Sequence, residues 1–466
     1  MGLNYKERIG ATDSPPTRLS SPANLLPPPP SLNSTPFLCS SHQKKYNFSH
    51  MSVRIRLTTR DEDIKVDDSP VYVPISLKRY GLSEVVNKLL ETVEPVPFDF
   101  LIDGQLLRTS LESYLTSQGL SQESVITIEY VRSVLPPTFL ASFQHDDWVS
   151  AVKCKQDTIA TGSYDGVVRL WDHSGNVQSS LAGHTGAVKA IKWVTDNSLL
   201  SASADRTAYL WKLDDNNNSK VQCIFQGHEG AVNDICLLKS SKVVTVSQDN
   251  TLKVWTTQLK QLPMPDEDEL KTTSSRKRRK LAEAAFKSKR VRGPLSTLHG
   301  HTAPVTSVCE HTTDSNVCYT VSEDHSIRTW DLVTGQLVDT KSSSFSLLSI
   351  ANLQAPSSLL ACGSTGRHIV LVDPRATVKT SQNNLVGHRN FVSQLVTSPT
   401  NPYQLASSSH DGTVRIWDVR ANKSLFLVEQ QQTVENDLYC LDWHNDMIAF
   451  GGKTKQLQLN RVQGTA

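Results

Sequence analysis

The chain has 466 residues, a formal net charge of +2 and 20% charged residues, which allows two or three domains and predicts no general affinity for polyanions. No apolar run approaches the length of a membrane span, so we expect no membrane partner. The eight cysteines contain no Cys-x-x-Cys pair, which favours reduced thiols in an intracellular protein.

Residues 1–50 are rich in serine and proline, including the run Pro27–Pro30. Such a composition cannot build a packed core, so this segment is predicted to be a disordered extension.

Residues 51–133 have the pattern of a small, separate domain. Val53, Ile55 and Leu57 alternate with polar residues, as in a half-buried strand. The next predicted elements are a strand from Tyr72 to Leu77 and a helix that Ser83 caps.

Three further elements complete this domain. Phe98–Ile102 reads as a strand that ends at an Asp103-Gly104 turn, Ser110–Leu115 as a short helix, and Val125–Tyr130 as a last strand. Strand, strand, helix, strand, strand is the order of a ubiquitin-like β-grasp (α+β) fold.

Residues 136–466 contain a repeat. An aspartate is followed six residues later by a tryptophan at Asp165/Trp171, Asp205/Trp211, Asp249/Trp255, Asp324/Trp330 and Asp411/Trp417. Upstream of these pairs lie His145, His184, His228, His301 and His388. A period of about forty residues with these marks is typical of a WD40 β-propeller.

The spacing of the histidines gives the number of blades. The interval between His228 and His301 holds one repeat plus an insertion, and that between His301 and His388 holds two repeats. A further unit without the motif runs from Asn436 to Arg461, which makes seven blades, five of them with the full motif. The segment 136–143 is predicted to be the outer strand of blade seven, which closes the ring and removes an open edge.

The repeated polar residues have a structural explanation. Each histidine, turn aspartate and tryptophan is expected to form a hydrogen-bonded tetrad with a serine or threonine, and Asp-Gly or Asp-Asn suits the turn. The expected tetrads include His184/Asp205/Trp211, His228/Asp249/Trp255, His301/Asp324/Trp330 and His388/Asp411/Trp417. Because the set recurs once per blade, we do not assign it to catalysis or metal binding.

One face of the propeller is a candidate interface. Residues three and five after the repeat histidine, and the residue before the turn aspartate, surround the channel in this fold. Here they include Trp148, Tyr164, Lys189, Phe391, His410 and Tyr439. Aromatic side chains exposed together favour the centre of a protein interface over packing within the rim.

A charged insertion at about 258–295 separates blades three and four and is predicted to be flexible. Its acidic run 266–269 precedes the basic cluster Arg276, Lys277, Arg278, Arg279 and Lys280. Such a cluster is typical of a nuclear import signal or an RNA phosphate contact, and a merely solvated loop is the third interpretation.

The chain also resembles a known family over about residues 52–466. The resemblance is carried by the segments 73–84, 97–102 and 103–111, together with 145–150 and 162–166 of the propeller. These segments resemble the WD-repeat ribosome-biogenesis factors that partner pescadillo and a Bop-type propeller protein, and residues 51–133 resemble their Notchless-like (NLE) domain.

The resemblance implies a function. Members are non-catalytic nuclear factors of the nucleolus and nucleoplasm that act in pre-rRNA processing on the pre-60S ribosomal particle. The AAA ATPase midasin pulls them off that particle, and a pre-rRNA contact is also conceivable from the basic cluster.

The resemblance further implies a docking residue. Glu123 matches the glutamate through which the family's small domain completes a magnesium shell in the adhesion domain of midasin. Mg²⁺ prefers hard oxygen ligands in octahedral array, so a carboxylate on a short loop suits this role. The Mg²⁺ would be shared on docking, and no cofactor or metal of the chain's own is expected.

Two other functions are less favoured. Trp417-Asp418-Val419-Arg420 fits the Trp-Asp-x-Arg pattern of substrate receptors of cullin-type ubiquitin ligases, although this pattern arises often in WD repeats. An enzyme is disfavoured, since the sequence has no Walker-type glycine-rich loop and no nucleophile with its base apart from the repeats.

Overall fold

The computed structural model describes residues 52–92, 94–119, 125–133, 135–156, 158–214, 219–263, 290–355, 357–376, 383–430 and 436–462. The predicted disordered extension 1–50 therefore lies outside the described residues, as does most of the charged insertion.

The small domain (residues 52–133) contains a five-stranded sheet with the strand order β2-β1-β5-β3-β4. Its elements are β1 (Ser52–Thr58), a 3-10 turn (Glu62–Ile64), β2 (Val71–Pro74), α1 (Arg79–Leu89), β3 (Phe98–Ile102), β4 (Gln105–Leu106), α2 (Leu111–Gln118) and β5 (Ile126–Arg132). Strands β1 and β5 run parallel and the other pairs antiparallel, which is the predicted β-grasp order.

Local sequence explains most of these elements. Asp103 (φ 51°) and Gly104 (φ 73°) form the predicted turn between β3 and β4. Ser110 caps α2, because its hydroxyl accepts from the amide of Ser113 at 3.3 Å. The alternating residues Val53, Ile55 and Leu57 point into the core and are at most 2% exposed.

The predicted cap at Ser83 is wrong. Helix α1 begins at Arg79, so Ser83 lies inside it. Its buried hydroxyl accepts from the amide of Phe98 and donates to the carbonyl of Val96, which ties the helix to β3. The serine that was interpreted as a helix cap instead links the helix to the strand that follows it.

Seven further sheets make up the described part of the propeller (residues 138–462). The first strand, β6 (Thr138–Gln144), belongs to the last blade. Blade one contains β7 (Val149–Cys154), β8 (Ile159–Ser163), β9 (Val167–Trp171) and β10 (Val177–Ala182). Blade two contains β11 (Val188–Thr195), β12 (Ser198–Ser203), β13 (Thr207–Leu213) and β14 (Ser219–Gln226).

The insertion interrupts blade three, so its predicted position between blades three and four is wrong. Along the chain come β15 (Val232–Leu237), β16 (Lys242–Ser247), β17 (Leu252–Thr256), a 3-10 turn (Leu259–Gln261), β18 (Val291–Arg292) and β19 (Ser296–Leu298). Strand β19 completes this blade, whereas β18 pairs in parallel with β14 and becomes a fifth strand of blade two.

The last four blades follow the simple order. Blade four contains β20 (Val305–Glu310), β21 (Val317–Ser322), β22 (Ser326–Asp331) and β23 (Gln336–Ser342), and blade five contains β24 (Leu347–Asn352), β25 (Leu360–Ser364), β26 (His368–Val372) and β27 (Asn383–Val386). Blade six contains β28 (Val392–Thr397), β29 (Gln404–Ser409), β30 (Thr413–Asp418) and β31 (Phe426–Glu429), and blade seven contains β32 (Leu438–His444), β33 (Met447–Gly452), β34 (Gln456–Arg461) and β6.

The ring closes as predicted. Strand β6 pairs with β34 from Thr138↔Arg461 to Gln144↔Gln456, so residues from the two ends of the propeller share one sheet. The inner strands of consecutive blades touch one another around the ring, including those of blades seven and one. Closure removes the open edge that would otherwise invite aggregation.

Stacking of blades supplies the core. Apolar clusters combine residues of adjacent blades, as where Leu170 and Leu181 of blade one meet Ile191 of blade two. The repeat tryptophans of four blades lie deep in this core and are at most 2% exposed: Trp211, Trp255, Trp330 and Trp417. A single blade cannot bury both faces of its sheet, so neighbouring blades stabilise each other.

The described ends of the insertion are ordered, in contrast to the predicted flexibility of 258–295. Val291 is fully buried between blades, and Leu262 is 7% exposed. The amide of Gly293 donates to the carbonyl of Pro263 at 2.9 Å. The chain therefore leaves and re-enters the propeller at one anchored stem.

Seven cysteines lie in the described residues, and all are free. Neither helix of the described chain is long and apolar enough to cross a membrane.

Candidate protein-binding site

The repeat histidines and aspartates are joined to buried hydroxyls. In blade two, His184 Nδ1 lies 2.9 Å from Asp205 Oδ2, and its Nε2 lies 2.8 Å from Ser201 Oγ. The indole nitrogen of Trp211 donates to the same hydroxyl at 2.8 Å. Because an indole nitrogen can only donate, the Ser201 hydroxyl accepts from Trp211 and joins it to His184.

Three other blades repeat this predicted arrangement. The ring nitrogens of their histidines contact the turn aspartates at 2.8, 2.8 and 2.9 Å in the pairs His228/Asp249, His301/Asp324 and His388/Asp411. Each histidine also reaches a buried hydroxyl through its other ring nitrogen. The tetrads tie the loop before a blade to its inner turn.

The tryptophans complete these tetrads from inside the core. The indole nitrogens of Trp255 and Trp330 donate to the hydroxyls of Thr245 and Thr320 at 2.9 Å, and Trp417 makes the same kind of bond in blade six. Trp255 and Trp330 are each 1% exposed. Although the motif singled them out, these tryptophans cannot touch a partner or a ligand, so they do not belong to the binding site and have a structural role only.

Electrostatics keep the histidine–aspartate pairs in their structural roles. Burial lowers the pKa of His228 in spite of its hydrogen bond to Asp249. Burial also opposes ionisation of Asp324, but hydrogen bonds from Ser326 and His301 outweigh that effect and lower its pKa to about 2. In all four pairs both ring nitrogens of the histidine are already occupied by hydrogen bonds.

Blade one does not form the expected tetrad. Neither ring nitrogen of the buried His145 has a hydrogen-bond partner within the described chain. Asp165 instead pairs with Arg169 at 2.7 Å. Burial and the charge of Arg169 lower the pKa of His145 to about 4. In blade one the indole of Trp171 still donates to Thr161 at 2.8 Å, so the tetrad lacks only the bonds of its histidine.

The six predicted interface residues lie together on the upper face, defined here as the face that carries the repeat histidines and the turn aspartates. The rings of Trp148, Tyr164 and Tyr439 form a trio with centroid separations of 5.3, 6.0 and 6.1 Å. His410 lies 5.5 Å from Tyr439 and 6.1 Å from Phe391. We call these five rings the aromatic cluster.

Backbone hydrogen bonds explain why the cluster forms. The amide of Tyr164 donates to the carbonyl of Trp148, and that of His410 donates to the carbonyl of Phe391, both at 3.0 Å. Each turn is thereby tied to the loop that enters its own blade, so residues far apart in the repeat become neighbours. Lys189 from blade two joins the cluster, since its Nζ donates to Tyr164 Oη at 3.0 Å.

The cluster offers both apolar surface and polar groups. Phe391 is 42% exposed, whereas the other members are half-buried. Burial, together with the charge of Asp437, raises the pKa of Tyr439 to about 12, so its hydroxyl stays protonated and can donate. Partly exposed aromatics with polar tips are the side chains that dominate binding energy in protein interfaces.

Below the cluster, the channel contains a cavity of about 690 Å³. Two of the carboxylates in or beside its lining are engaged by neighbouring side chains: Asp442 pairs with Lys153, and Asp234 accepts from Ser307 at 2.6 Å. In the described residues, no group of three or more histidine, cysteine, aspartate or glutamate side chains could hold a metal ion.

Comparison with known proteins agrees with this organisation. Residues 53–115 match the NLE (NUC135) domain family, and residues 137–172, 175–212, 219–256, 292–331 and 379–418 match the WD domain, G-beta repeat family. These five segments are the blades whose sequences carry the Asp–Trp pair.

Full-length relatives decide the family. The ribosome biogenesis protein YTM1 of Eremothecium gossypii is 45% identical over 433 residues, which cover 88% of this chain and 97% of that protein. Its namesakes in Candida glabrata and Saccharomyces cerevisiae are 46% identical over 447 residues and 44% identical over 448 residues, covering 89% and 88% of this chain and 97% of each relative. The chain belongs to the YTM1 family of ribosome biogenesis proteins.

Two predicted sites of this YTM1-family chain lie outside the described residues. One is Glu123, in the segment that follows the end of α2 at Gly119. The other is the basic cluster Arg276–Lys280. Both remain predictions from the sequence.

The arginine of the Trp-Asp-x-Arg sequence is not presented to solvent. The side chains of Arg420 and Asp418 are 1% and 2% exposed and form an ion pair at 2.7 Å. The guanidinium also lies 4.2 Å from the centroid of the Tyr403 ring. This arrangement disfavours the ligase-receptor interpretation, because an adaptor could not reach Arg420.

The structural roles of Arg169 and Leu101 were not predicted from the sequence. Arg169 takes the carboxylate of Asp165, and its position four residues after that aspartate gave no warning, because Arg328 and Arg415 occupy the same position in blades whose tetrads form. Leu101 was assigned only to a strand, yet it faces away from the small domain's core and packs on Ala421 of blade six. Contacts between segments so far apart leave no periodic signal.

Proposed function

We propose that this YTM1-family chain is a non-catalytic assembly factor of the large (60S) ribosomal subunit that acts in the nucleolus and nucleoplasm. The observation that carries the proposal is the identity of 44–46% with YTM1 proteins along 97% of their length. It spans both the small domain and the propeller, so the complete architecture is shared and not a WD repeat alone.

The geometry of the propeller supports a binding role. The groups that could perform chemistry are paired within blades, as His184 is with Asp205. What remains open on the upper face is the aromatic cluster, with Phe391 the most exposed member. A surface of this kind suits a protein partner.

The proposed partners are the Bop-type propeller protein and pescadillo, through which the chain joins the pre-60S particle. The aromatic cluster is assigned to the contact with one of them. The basic cluster Arg276–Lys280 is assigned to nuclear import, with a pre-rRNA phosphate contact as its second use.

The small domain is proposed to be the handle for midasin. Glu123 would supply the carboxylate that completes the Mg²⁺ shell of the adhesion domain, and the ATPase would then pull the chain off the particle. The chain itself needs no hydrolytic site for this function.

The test is affinity purification of the tagged full-length chain from nuclei, followed by sedimentation and identification of stoichiometric partners. The informative variant combines Trp148→Ala and Phe391→Ala. The matched control combines Val333→Ala and Val338→Ala, which remove exposed apolar side chains (69% and 62% exposed) from the turn and outer strand of blade four.

Wild type and control are expected to sediment with pre-60S particles and to recover pescadillo and the Bop-type protein. The aromatic double variant is expected to keep its circular dichroism and thermal midpoint but to recover at least tenfold less partner. A folded double variant with full recovery removes the aromatic cluster from the interface. Recovery of a ligase adaptor in place of ribosomal partners overturns the proposed function.

A further inference from the structure

Blade six covers one part of the outer face of the small domain's sheet, at strands β3 and β5. Leu101 and Val131, which point away from the domain's own core, pack against Ala421, and the three residues are 2%, 6% and 2% exposed. Neighbouring Phe100 and Ile102 belong to the domain core instead. Alternation along β3 therefore gives one side of the strand to the domain and the other to the propeller.

Two hydrogen bonds join the same surfaces. The amide of Asn422 donates to the carbonyl of Gly104 at 2.9 Å. Arg108 Nη2 donates to the carbonyl of Leu425 at 3.5 Å. A side chain at Gly104 would lie within 3.4 Å of Asn422 and the carbonyl of Arg420, so the turn fits closely against the loop 418–425.

Charges meet beside this contact. Arg420 is bound to Asp418, and burial of its guanidinium is outweighed by that carboxylate and by Glu129 and Asp61 of the small domain, so its pKa is raised. Glu129 is itself engaged on the small domain's side, where Arg60 Nε lies 3.0 Å from its Oε1. Arg420 Nη1 is buried without a hydrogen-bond partner in the described chain.

The contact is small for a permanent junction. Its apolar part consists of Leu101, Val131 and Ala421 with the partly buried Leu106. Interfaces between domains of one chain allow relative motion unless they are large and apolar.

We infer that the loop 418–425 on blade six is an internal docking site for the small domain, which closes on it and opens again without unfolding. In the closed form Leu101 is hidden from partners, and in the open form it becomes accessible. The inference concerns the free chain and does not depend on any proposed partner, so it can fail while the assembly function stands.

The full-length chain provides the test, by hydrogen exchange at the amide of Asn422 and by the radius of gyration from X-ray scattering. Leu101→Glu places a charge in the contact but leaves the small domain's core intact. Tyr72→Glu is the matched control, since Tyr72 lies on edge strand β2 of the same sheet and is 68% exposed.

In the wild type, the Asn422 amide should exchange more slowly than in Leu101→Glu by at least tenfold, and faster than the core amides of β3 and β5. Leu101→Glu should have a larger radius of gyration, and Tyr72→Glu should match the wild type. If Leu101→Glu unfolds the small domain, Ala421→Glu tests the same contact from the propeller side.

Two results would overturn the inference. Equal exchange and equal radius in wild type and in a folded contact variant would mean that no closed form exists. Exchange of Asn422 at the rate of the core amides in the wild type would mean that the contact opens only when the domain unfolds.

Discussion

Arg169 and Asp165 form an ion pair at 2.7 Å in blade one, where the corresponding aspartates of blades two, three, four and six bind the repeat histidine. The consequence falls on His145. Its ring packs on Trp171 with centroids 4.7 Å apart, but neither nitrogen has a hydrogen-bond partner among the described residues. Blade one therefore contains a buried imidazole that contributes apolar contact only.

The first prediction concerns His145→Phe and pH. The pKa of His145 is lowered from 6.5 to about 4 by burial and by Arg169, so the folded state holds fewer protons than the unfolded state between these values. The contribution of this histidine to the free energy of unfolding is therefore constant above pH 6.5 and falls as the pH drops towards 4. The phenylalanine variant lacks this loss.

The free energy of unfolding of His145→Phe, measured relative to the wild type, should therefore rise on acidification, by up to about 3 kcal/mol near pH 4. Urea unfolding of both proteins from about pH 7.5 to about pH 4.5 measures it. A stability difference that does not change with pH would contradict the assigned environment of His145.

The second prediction concerns the hydroxyl at the centre of a tetrad. Ser201→Ala leaves His184 Nε2 and Trp211 Nε1 without a partner in a site that is fully buried, so it should destabilise the propeller by about 2–4 kcal/mol. The matched control is Ser349→Ala, because the buried Oγ of Ser349 has no hydrogen-bond partner in the described chain. Equal midpoints of thermal unfolding for the two variants would refute an energetic role for the tetrad.

The third prediction concerns Glu123 and magnesium. Glu123→Ala removes the carboxylate, and Glu123→Asp shortens its reach by roughly 1.5 Å, which a near-octahedral Mg²⁺ site tolerates poorly. Binding of the full-length chain to midasin's adhesion domain should fall at least tenfold for both variants and should be lost with a chelator. Glu112→Ala, which removes an exposed carboxylate from α2, should bind normally.

In cells, Glu123→Ala should be dominant negative, because the variant still enters pre-60S particles but is not extracted. Affinity that is unchanged by the alanine substitution, or by the chelator, would eliminate Glu123 as the metal-bridging residue.

The fourth prediction concerns nuclear entry. Alanine at Arg276, Lys277, Arg278, Arg279 and Lys280 should shift a tagged chain to the cytoplasm, since these residues supply the basic cluster. Alanine at the acidic run 266–269 of the same insertion should leave it in the nucleus. Combining the basic-cluster change with Trp148→Ala and Phe391→Ala removes import through a partner, and nuclear accumulation of that combined variant would count against the signal.

The repeated features of the propeller could be predicted from the sequence, whereas contacts that occur in a single blade could not. A histidine, aspartate and tryptophan in fixed register report the blades because the same backbone geometry needs them each time. Arg169 takes the carboxylate from the histidine in blade one, whereas Arg328 at the same position of blade four lies 3.9 Å from Asp324 and leaves the bond to His301 intact. Strand β18 pairs with blade two although it lies between two strands of blade three in the chain. Only three-dimensional adjacency determines these pairings.

In the candidate site, too, the residues at repeated positions were predictable and the contacts between unrelated segments were not. The aromatic cluster was predictable because its members occupy fixed positions relative to the repeat histidine and the turn. The contact of Leu101 with Ala421 joins residues with no common register, so neither hydropathy nor spacing indicates it. Ser83 illustrates the opposite error. Its sequence context predicted a helix cap, but in the fold its hydroxyl accepts from the amide of Phe98 in β3.

The stem at Pro263 and Gly293 makes the charged insertion exchangeable. A 2.9 Å backbone hydrogen bond already holds its two ends together. The pairing of strands around the ring therefore does not depend on how the residues between these ends are arranged. The cost of joining two such ends changes slowly with the number of residues between them, by about 0.6 kcal/mol for each doubling. We therefore expect the propeller to accept a reporter domain with neighbouring termini in place of 264–289, while blades two and three keep their register.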